Sequence, residues 1–374
     1  MSGIYIHIPF CKQACNYCDF HFSTSLQNKE ALVKSIVAEM EQRLGYLADR
    51  RIETIYFGGG TPSLLSEREA GMILEKIYKF YDVSRDAEVT LECNPDDLSE
   101  EKLKELKRLE INRLSIGLQS FNDDELVWMN RAHTAKESEV SVKRAQDRGF
   151  ENITIDLIYG SKFSNLRSWK ATLDKAIALD VKHISSYNLT IEEKTKLGHD
   201  FKQKKEAAID DELSSEMFLE MIDRLGKNGF IHYEISNFGK EGFFSAHNSN
   251  YWKGKHYLGL GPSAHSFDGA SRQWNVANNT VYIKTVNEGK DYFEKETLTE
   301  TERFNEYMLI ALRTMWGVDL QYLKANFDAD LVNRFLQQVE RFTGDGSIAL
   351  KEQSYTLTEK GKLLADRIAG DLFV

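Results

Sequence analysis

Six short β-rich runs recur through the first half of this chain, each followed by a polar or glycine-bearing turn and then a stretch with helical periodicity. They are residues 4–8 (IYIHI), 54–57 (TIYF), 88–92 (EVTLE), 113–118 (RLSIGL), 152–158 (NITIDLI) and 183–189 (HISSYNL). Their β-branched and aromatic content, with near-continuous hydrophobicity in several, suits strands of a buried parallel sheet. Helical patterns lie between them, as at 28–47 and 169–179, and Ser66-x-x-Glu69 and Asn122-x-x-Glu125 read as capping signals. Alternating strands and helices predict an α/β fold with the helices packed outside.

The strand ends choose the architecture. Runs finish in His7 to Cys11, Gly58-Gly59-Gly60-Thr61, Glu92-Cys93-Asn94, Gln119-Ser120 and Asp156. Functional groups supplied by the ends of several successive strands are what a (β/α) barrel offers, whereas an open doubly wound sheet concentrates its signal in one or two loops. An incomplete barrel of six strands follows. Pro9, Pro62 and Pro95 fall just past strands, where no ladder donor is missed. Beyond about residue 265 the pattern changes to helices at 301–316 and 328–342, a β-like stretch at 348–357 and a last helix at 358–372. Two domains are predicted, 1–265 and 266–374, the second a smaller α+β module, mainly helical and winged-helix-like, packed as a cap.

Cys11-x3-Cys15-x2-Cys18 places three of the four cysteines on the turn leaving the first strand, and Cys93 reads as a buried free thiol. This is not a disulfide framework. No run of about twenty apolar residues and no signal-peptide core is present, so a reducing, cytoplasmic setting is expected. With 48 Lys and Arg against 58 Asp and Glu, the net charge of −10 argues against a nucleic-acid partner. Three thiols so close together leave two readings. A structural zinc wants a fourth ligand, for which His21 is the candidate. An iron–sulfur cluster normally takes four cysteines, and with three one iron stays open to another molecule; the position at a barrel mouth favours this second reading.

The CxxxCxxC loop, with its Pro-Phe lead-in and Tyr17 before Cys18, resembles that of the radical S-adenosylmethionine (SAM) family. The resemblance implies a TIM-like partial (β/α)6 barrel and a [4Fe–4S] cluster on Cys11, Cys15 and Cys18. It also implies SAM on the open iron, cleaved to a 5′-deoxyadenosyl radical once the cluster is reduced by an electron donor. HIPFC, GGGTPSLL, ECNPDD, GLQSF, NRAHT and TIDLIYG are similar, in order, to the oxygen-independent coproporphyrinogen III oxidase (HemN) subfamily. That subfamily implies SAM contacts at Tyr5, Gly59, Gly60, Thr61, Glu92, Gln119, Arg131 and Asp156, with Tyr17 beside the cluster. Among these, Glu92 suits the ammonium, Arg131 the carboxylate, and Asp156 the ribose hydroxyls.

Two departures point to one branch. The oxidase pattern continues to a fourth cysteine where this chain has Phe20, and it carries a long segment before its first strand, whereas here Tyr5 is already expected in that strand. Both are typical of the HemW branch of heme chaperones. His247-Asn248-Ser249-Asn250-Tyr251-Trp252 is similar to the HNxxYW motif associated with heme in that branch, which implies heme contacts at His247, Asn248, Tyr251 and Trp252. The expected partners are heme or another porphyrin, an apo-hemoprotein that receives it, and a possible second copy of the chain. The alternatives are a true coproporphyrinogen III oxidase and an RNA-modifying radical SAM enzyme. The latter would need a basic surface and extra cluster cysteines.

Overall fold

The computed structural model describes residues 2–205 and 210–374. β1 (Ser2–Ile8), β2 (Arg51–Gly59), β3 (Asp82–Cys93), β4 (Arg113–Gln119), β5 (Asn152–Tyr159) and β6 (His183–Asn188) pair in parallel and in chain order, as expected of an incomplete (β/α)6 barrel. β7 (Ile231–Glu234) and β8 (Asn237–Gly239) add an antiparallel hairpin beyond β6. On the other side β9 (Tyr257–Leu260) runs parallel to β1, and β10 (His265–Phe267), β11 (Ser271–Asn275) and β12 (Phe293–Thr297) continue antiparallel. The whole forms one twelve-stranded sheet, β12-β11-β10-β9-β1-β2-β3-β4-β5-β6-β8-β7.

Period-2 alternation divides each barrel strand between two environments. Ile4, Ile6, Ile8, Ile55, Phe57, Leu91, Ile116, Ile155 and Leu157 pack with helix residues such as Leu32, Ile36, Ile73 and Leu103 in the main core. The intervening positions, among them Tyr5, His7, Tyr56, Glu92, Ser115 and Asp156, face the lumen. The helix Glu67–Phe80 illustrates the outer layer. Ser66 and Glu69 form a reciprocal capping box, and Ala70, Ile73, Leu74 and Ile77 are buried at helical spacing. Each large apolar side chain so buried contributes roughly 1.5–3 kcal/mol. Asn122 caps its helix as its spacing suggests, without the reciprocal bond of a capping box. It accepts from the backbone of Asp124, while Glu125 turns inward to the hydroxyls of Ser120 and Ser161. The last helical stretch is two short helices, Glu359–Lys362 and Ala365–Asp371.

The division placed at residue 265 falls inside the sheet, which runs on to Thr297. The physical reason is a buried polar junction. Glu39 accepts from the Gly261 N–H (2.8 Å), the Tyr282 hydroxyl (2.5 Å) and Asn275 Nδ2 (2.7 Å). Arg43, one turn later, donates to Gly259 O (3.1 Å) and Gln273 Oε1 (2.8 Å). The first helix, Lys29–Gln42, thereby holds β9–β11 and the helix Asn279–Asn287 to the barrel.

A second core, containing Phe304, Met308, Leu312, Phe335, Val339, Phe342 and Ile368, lies among the C-terminal helices. These pack with β13 (Val318–Asp319), β14 (Ile348–Lys351) and β15 (Ser354–Leu357) in a small antiparallel sheet. Backbone bonds from Ile235 N to Arg313 O (3.0 Å) and from Met315 N to Tyr233 O (2.9 Å) dock this module on the barrel. Among the described residues no helix is long and apolar enough to cross a membrane.

Candidate functional site

Among the described residues, two large cavities hold most of the expected site residues. The first, of about 780 Å³, sits at the C-terminal ends of β1–β6. Cys11, Cys15 and Cys18 reach it on the loop after β1, each partly exposed. That loop is pinned by several bonds. Cys11 N donates to Ser23 O (3.0 Å), Asn16 N to Met129 O (3.1 Å), and the Lys12 ammonium pairs with Asp96 (2.6 Å) in the turn after β3. Thr61 points its hydroxyl at Cys11 Sγ (3.5 Å), and Arg131 points Nη1 at Cys15 Sγ (3.3 Å). Arg131 Nη2 also donates to Asn94 Oδ1 (2.7 Å) and Gly117 O (2.9 Å), while its buried Nε has no partner among the described residues. Tyr17 lies in the same wall, its hydroxyl pushed to higher pKa by burial.

Glu92 and Asp156 stand on the lumen face across from the thiols. Glu92 accepts from the Tyr56 hydroxyl (2.8 Å) and from Gly59 N (3.2 Å). Burial pushes Glu92 up to about 7 and Asp156 up to about 6, because the charged form loses its hydration. Gln119 ends β4 in the left-handed region, at φ 66°, after a bulge that begins at Gly117. Such a conformation costs about 1–3 kcal/mol for a residue with a side chain. Here it lays the Gln119 amide over Gly117, where an added Cβ would come within 2.8 Å of Nε2.

Gly59 and Gly60 serve the surrounding chain as much as the cavity. Gly59 has φ 109°, and a Cβ would strike the His7 ring at 2.6 Å. At Gly60 it would meet the Phe10 backbone at 2.8 Å. The glycine run thus lets β2 end against the exit of the cysteine loop. Sequence reasoning missed Asn94 and Tyr56, which brace Arg131 and Glu92; Asn94 adjoins Cys93 in ECNPDD, and Tyr56 is two residues before Gly58 on the lumen face.

The expected SAM and cluster residues converge on this cavity except Tyr5. Its hydroxyl bonds His7 Nδ1 (3.1 Å), and its ring lines the second cavity. That cleft, of about 1170 Å³, lies between β9–β11 and the C-terminal module. The HNxxYW residues occupy the short helix Ala246–Trp252, and the structure divides them. Tyr251 and Trp252 line the cleft, whereas His247 and Asn248 do not. His247 is 2% exposed, with Nδ1 2.8 Å from Thr54 Oγ1 and Nε2 2.8 Å from the Tyr251 hydroxyl. It stacks on Tyr56, and burial lowers its pKa to about 3. Phe20, 72% exposed, lines both cavities.

A partial parallel barrel with three thiols at its mouth defines a radical SAM protein. Residues 5–176 match the family model of the radical SAM superfamily, and residues 298–364 match that of the HemN C-terminal domain. The fold is that of "Coproporphyrinogen III oxidase (HemN) from Escherichia coli", a radical SAM enzyme, with a TM-score of 0.86 at 22% identity over 100% of this chain and 90% of that one.

In sequence the chain is 35% identical to the heme chaperone HemW of Bacillus subtilis (strain 168), over 99% of this chain and 98% of that protein. It is 32% identical to HemW of Lactococcus lactis subsp. lactis, over 98% and 96%. It is 33% identical to the mitochondrial radical S-adenosyl methionine domain-containing protein 1 of Bos taurus, over 86% and 75%. The chain belongs to the HemW family of HemN-like radical SAM proteins.

Proposed function

We propose that this chain is a cytoplasmic heme chaperone. It holds a [4Fe–4S] cluster on Cys11, Cys15 and Cys18 and SAM in the adjoining cavity, takes up heme, and passes it to an apo-hemoprotein. The observation that carries this reading is similarity along the whole chain to proteins named heme chaperone HemW, at 35% and 32% identity. Phe20, where the oxidase pattern has a fourth cysteine, supports it.

The donor set fits a cluster better than a single metal ion. A cubane takes each thiolate on a different iron, so the ligands need not converge on one point. Zinc needs that convergence, and among the described residues no three His, Cys, Asp or Glu side chains provide it. His21 Nε2 is engaged by Asn279 Oδ1 at 2.8 Å. A cluster held by these three thiols would supply the electron for cleaving SAM. The remaining work falls to the chain. Arg131 holds Nη1 against Cys15 Sγ, and its Nε, unpartnered among the described residues, is free for a carboxylate oxygen. An ammonium entering beside Glu92 meets a carboxyl whose pKa burial pushes up to about 7, and its charge favours the ionised form. Buried Ser186 Oγ, also without a partner among the described residues, and Asp156 leave acceptors and a donor for hydroxyl groups.

The oxidase reading rests on the shared fold and C-terminal domain. One experiment separates them: anaerobic iron–sulfur reconstitution, then hemin titration alongside turnover of coproporphyrinogen III followed by mass. A Soret band at stoichiometric hemin with no decarboxylated product is expected. Decarboxylation without hemin binding would make the chain an oxidase.

A further inference from the structure

The motif histidine His247 has both ring nitrogens engaged behind the cleft wall, so an iron atom in the cleft must find another base. The other imidazoles at the cleft differ in what they leave free. His7 is engaged through Nδ1 by Tyr5 and through Nε2 by His21 O (3.0 Å). His21 holds Asn279. His256 also has no ring hydrogen bond among the described residues, but it is less exposed than His265 and its ring is pressed against Gly269, where an added Cβ would stand 2.6 Å from Nε2. His265 is exposed, and among the described residues neither of its ring nitrogens has a hydrogen-bond partner.

The strand register places His265 on a suitable surface. β10 and β11 pair His265 with Trp274 and Phe267 with Arg272. Opposed residues, and residues two apart, share a face. One face of this hairpin therefore carries an imidazole, a phenyl, a guanidinium and an indole, while Ser266 and Gln273 turn to the buried side. The His265 ring is tilted only 29° from that of Trp274, with centroids 6.2 Å apart. Across the cleft stand Tyr307 and Trp316, with the Lys253 ammonium 4.4 Å over the Trp316 ring. Exposed Arg303 and Lys255 add positive charge, and the Glu306 carboxylate is neutralised by Arg272 at 2.5 Å. At about 1170 Å³ the space exceeds an ordinary small-molecule site of roughly 300–1,000 Å³.

Aromatic walls, an uncommitted imidazole and cations suited to carboxylates describe the requirements of a flat iron macrocycle with acidic side chains. We propose that this cleft holds the iron porphyrin, with His265 as its axial ligand and His247 as a packing residue behind the wall. The proposal rests on the heme-chaperone reading and gives that reading a site. Asp19 and Phe20 line both cavities, so the porphyrin lies against the cluster loop.

The test is hemin titration of the full-length reconstituted protein, comparing wild type with His265→Ala, His256→Ala and Arg303→Glu. His265→Ala should weaken hemin binding at least tenfold and move the Soret band, and added imidazole should restore the wild-type spectrum. His256→Ala should stay within twofold. Arg303→Glu should lower affinity without moving the band. Iron-free protoporphyrin IX, which makes no axial bond, should bind wild type and His265→Ala alike. A wild-type Soret position and affinity in His265→Ala overturns the assignment, as does equal loss of protoporphyrin IX binding. Wild type that binds no hemin at all removes the chaperone reading instead.

Discussion

His247 shows how a single ring can serve packing. Its two nitrogens link Thr54 on β2 to Tyr251 on the motif helix, and its face lies on Tyr56. His247→Ala should destabilise the protein by about 2–4 kcal/mol, from the cavity and two buried hydroxyls left without a partner. Chemical denaturation of the apoprotein measures this, and a loss under 1 kcal/mol would contradict it. At Glu92 the raised pKa gives a different prediction. SAM affinity should rise with pH between about 5.5 and 8, as the carboxylate that receives the ammonium ionises, and Glu92→Gln should flatten that rise. Calorimetric titration on reconstituted protein decides; an unchanged slope in the variant would remove Glu92 from the binding site. Glu92 and Arg131 were legible as strand-end residues. Their braces, Tyr56 and Asn94, were not, because a supporting role is defined by a partner many residues away.

At the scale of elements, the junction of Glu39 and Arg43 decides which segments belong to the barrel. Glu39 is fully buried and accepts from three groups supplied by residues 261–282. Glu39→Ala would strand the Arg43 cation in the interior, at a cost of about 3–5 kcal/mol. Hydrogen exchange should show β9–β11 losing protection before β2–β5, and uniform loss across the sheet would refute the anchoring role. The six parallel strands were readable from their apolar runs, yet β10–β12 were not. They are short, and β12 exposes Glu294, Lys295 and Glu296 while β11 carries the half-buried Arg272, so they form by adding to an edge that only the folded barrel presents. The same dependence hid the inward turn of Glu125, whose spacing suggested a reciprocal capping bond but whose partners are Ser120, in the turn leading into its helix, and Ser161 on the loop after β5.

Across the whole molecule, buried titratable groups set the acid response. Burial lowers His7 and His133 to about 4 and His232 and His247 to about 3, so each is neutral when folded and protonates more readily when unfolded. Their contribution is complete above about pH 6.5 and is lost as pH falls toward those values. Glu92 and Asp156 act in the opposite sense. Their folded pKa values of about 7 and 6 favour the native state at lower pH, and that benefit fades as pH rises through them. Buried His183, also lowered, adds to the histidine side, and buried Glu39 and Glu234, also raised, to the carboxyl side. The histidines outweigh the carboxyls between pH 7 and 5, so apoprotein stability should fall by on the order of a few kcal/mol over that interval. Denaturation midpoints at the two pH values test the sign; a higher midpoint at pH 5 would show that the carboxyls dominate.

The barrel strands, the thiol loop and the family were present in the sequence alone, because periodicity and motif spacing are local properties that each segment carries with it. The bracing of Arg131 and Glu92, the closed environment of His247, the free imidazole of His265 and the membership of residues 265–297 in the main sheet were decided only by the tertiary structure. Each depends on which distant group fills a given hydrogen bond, and that partner exists only once the chain has closed on itself.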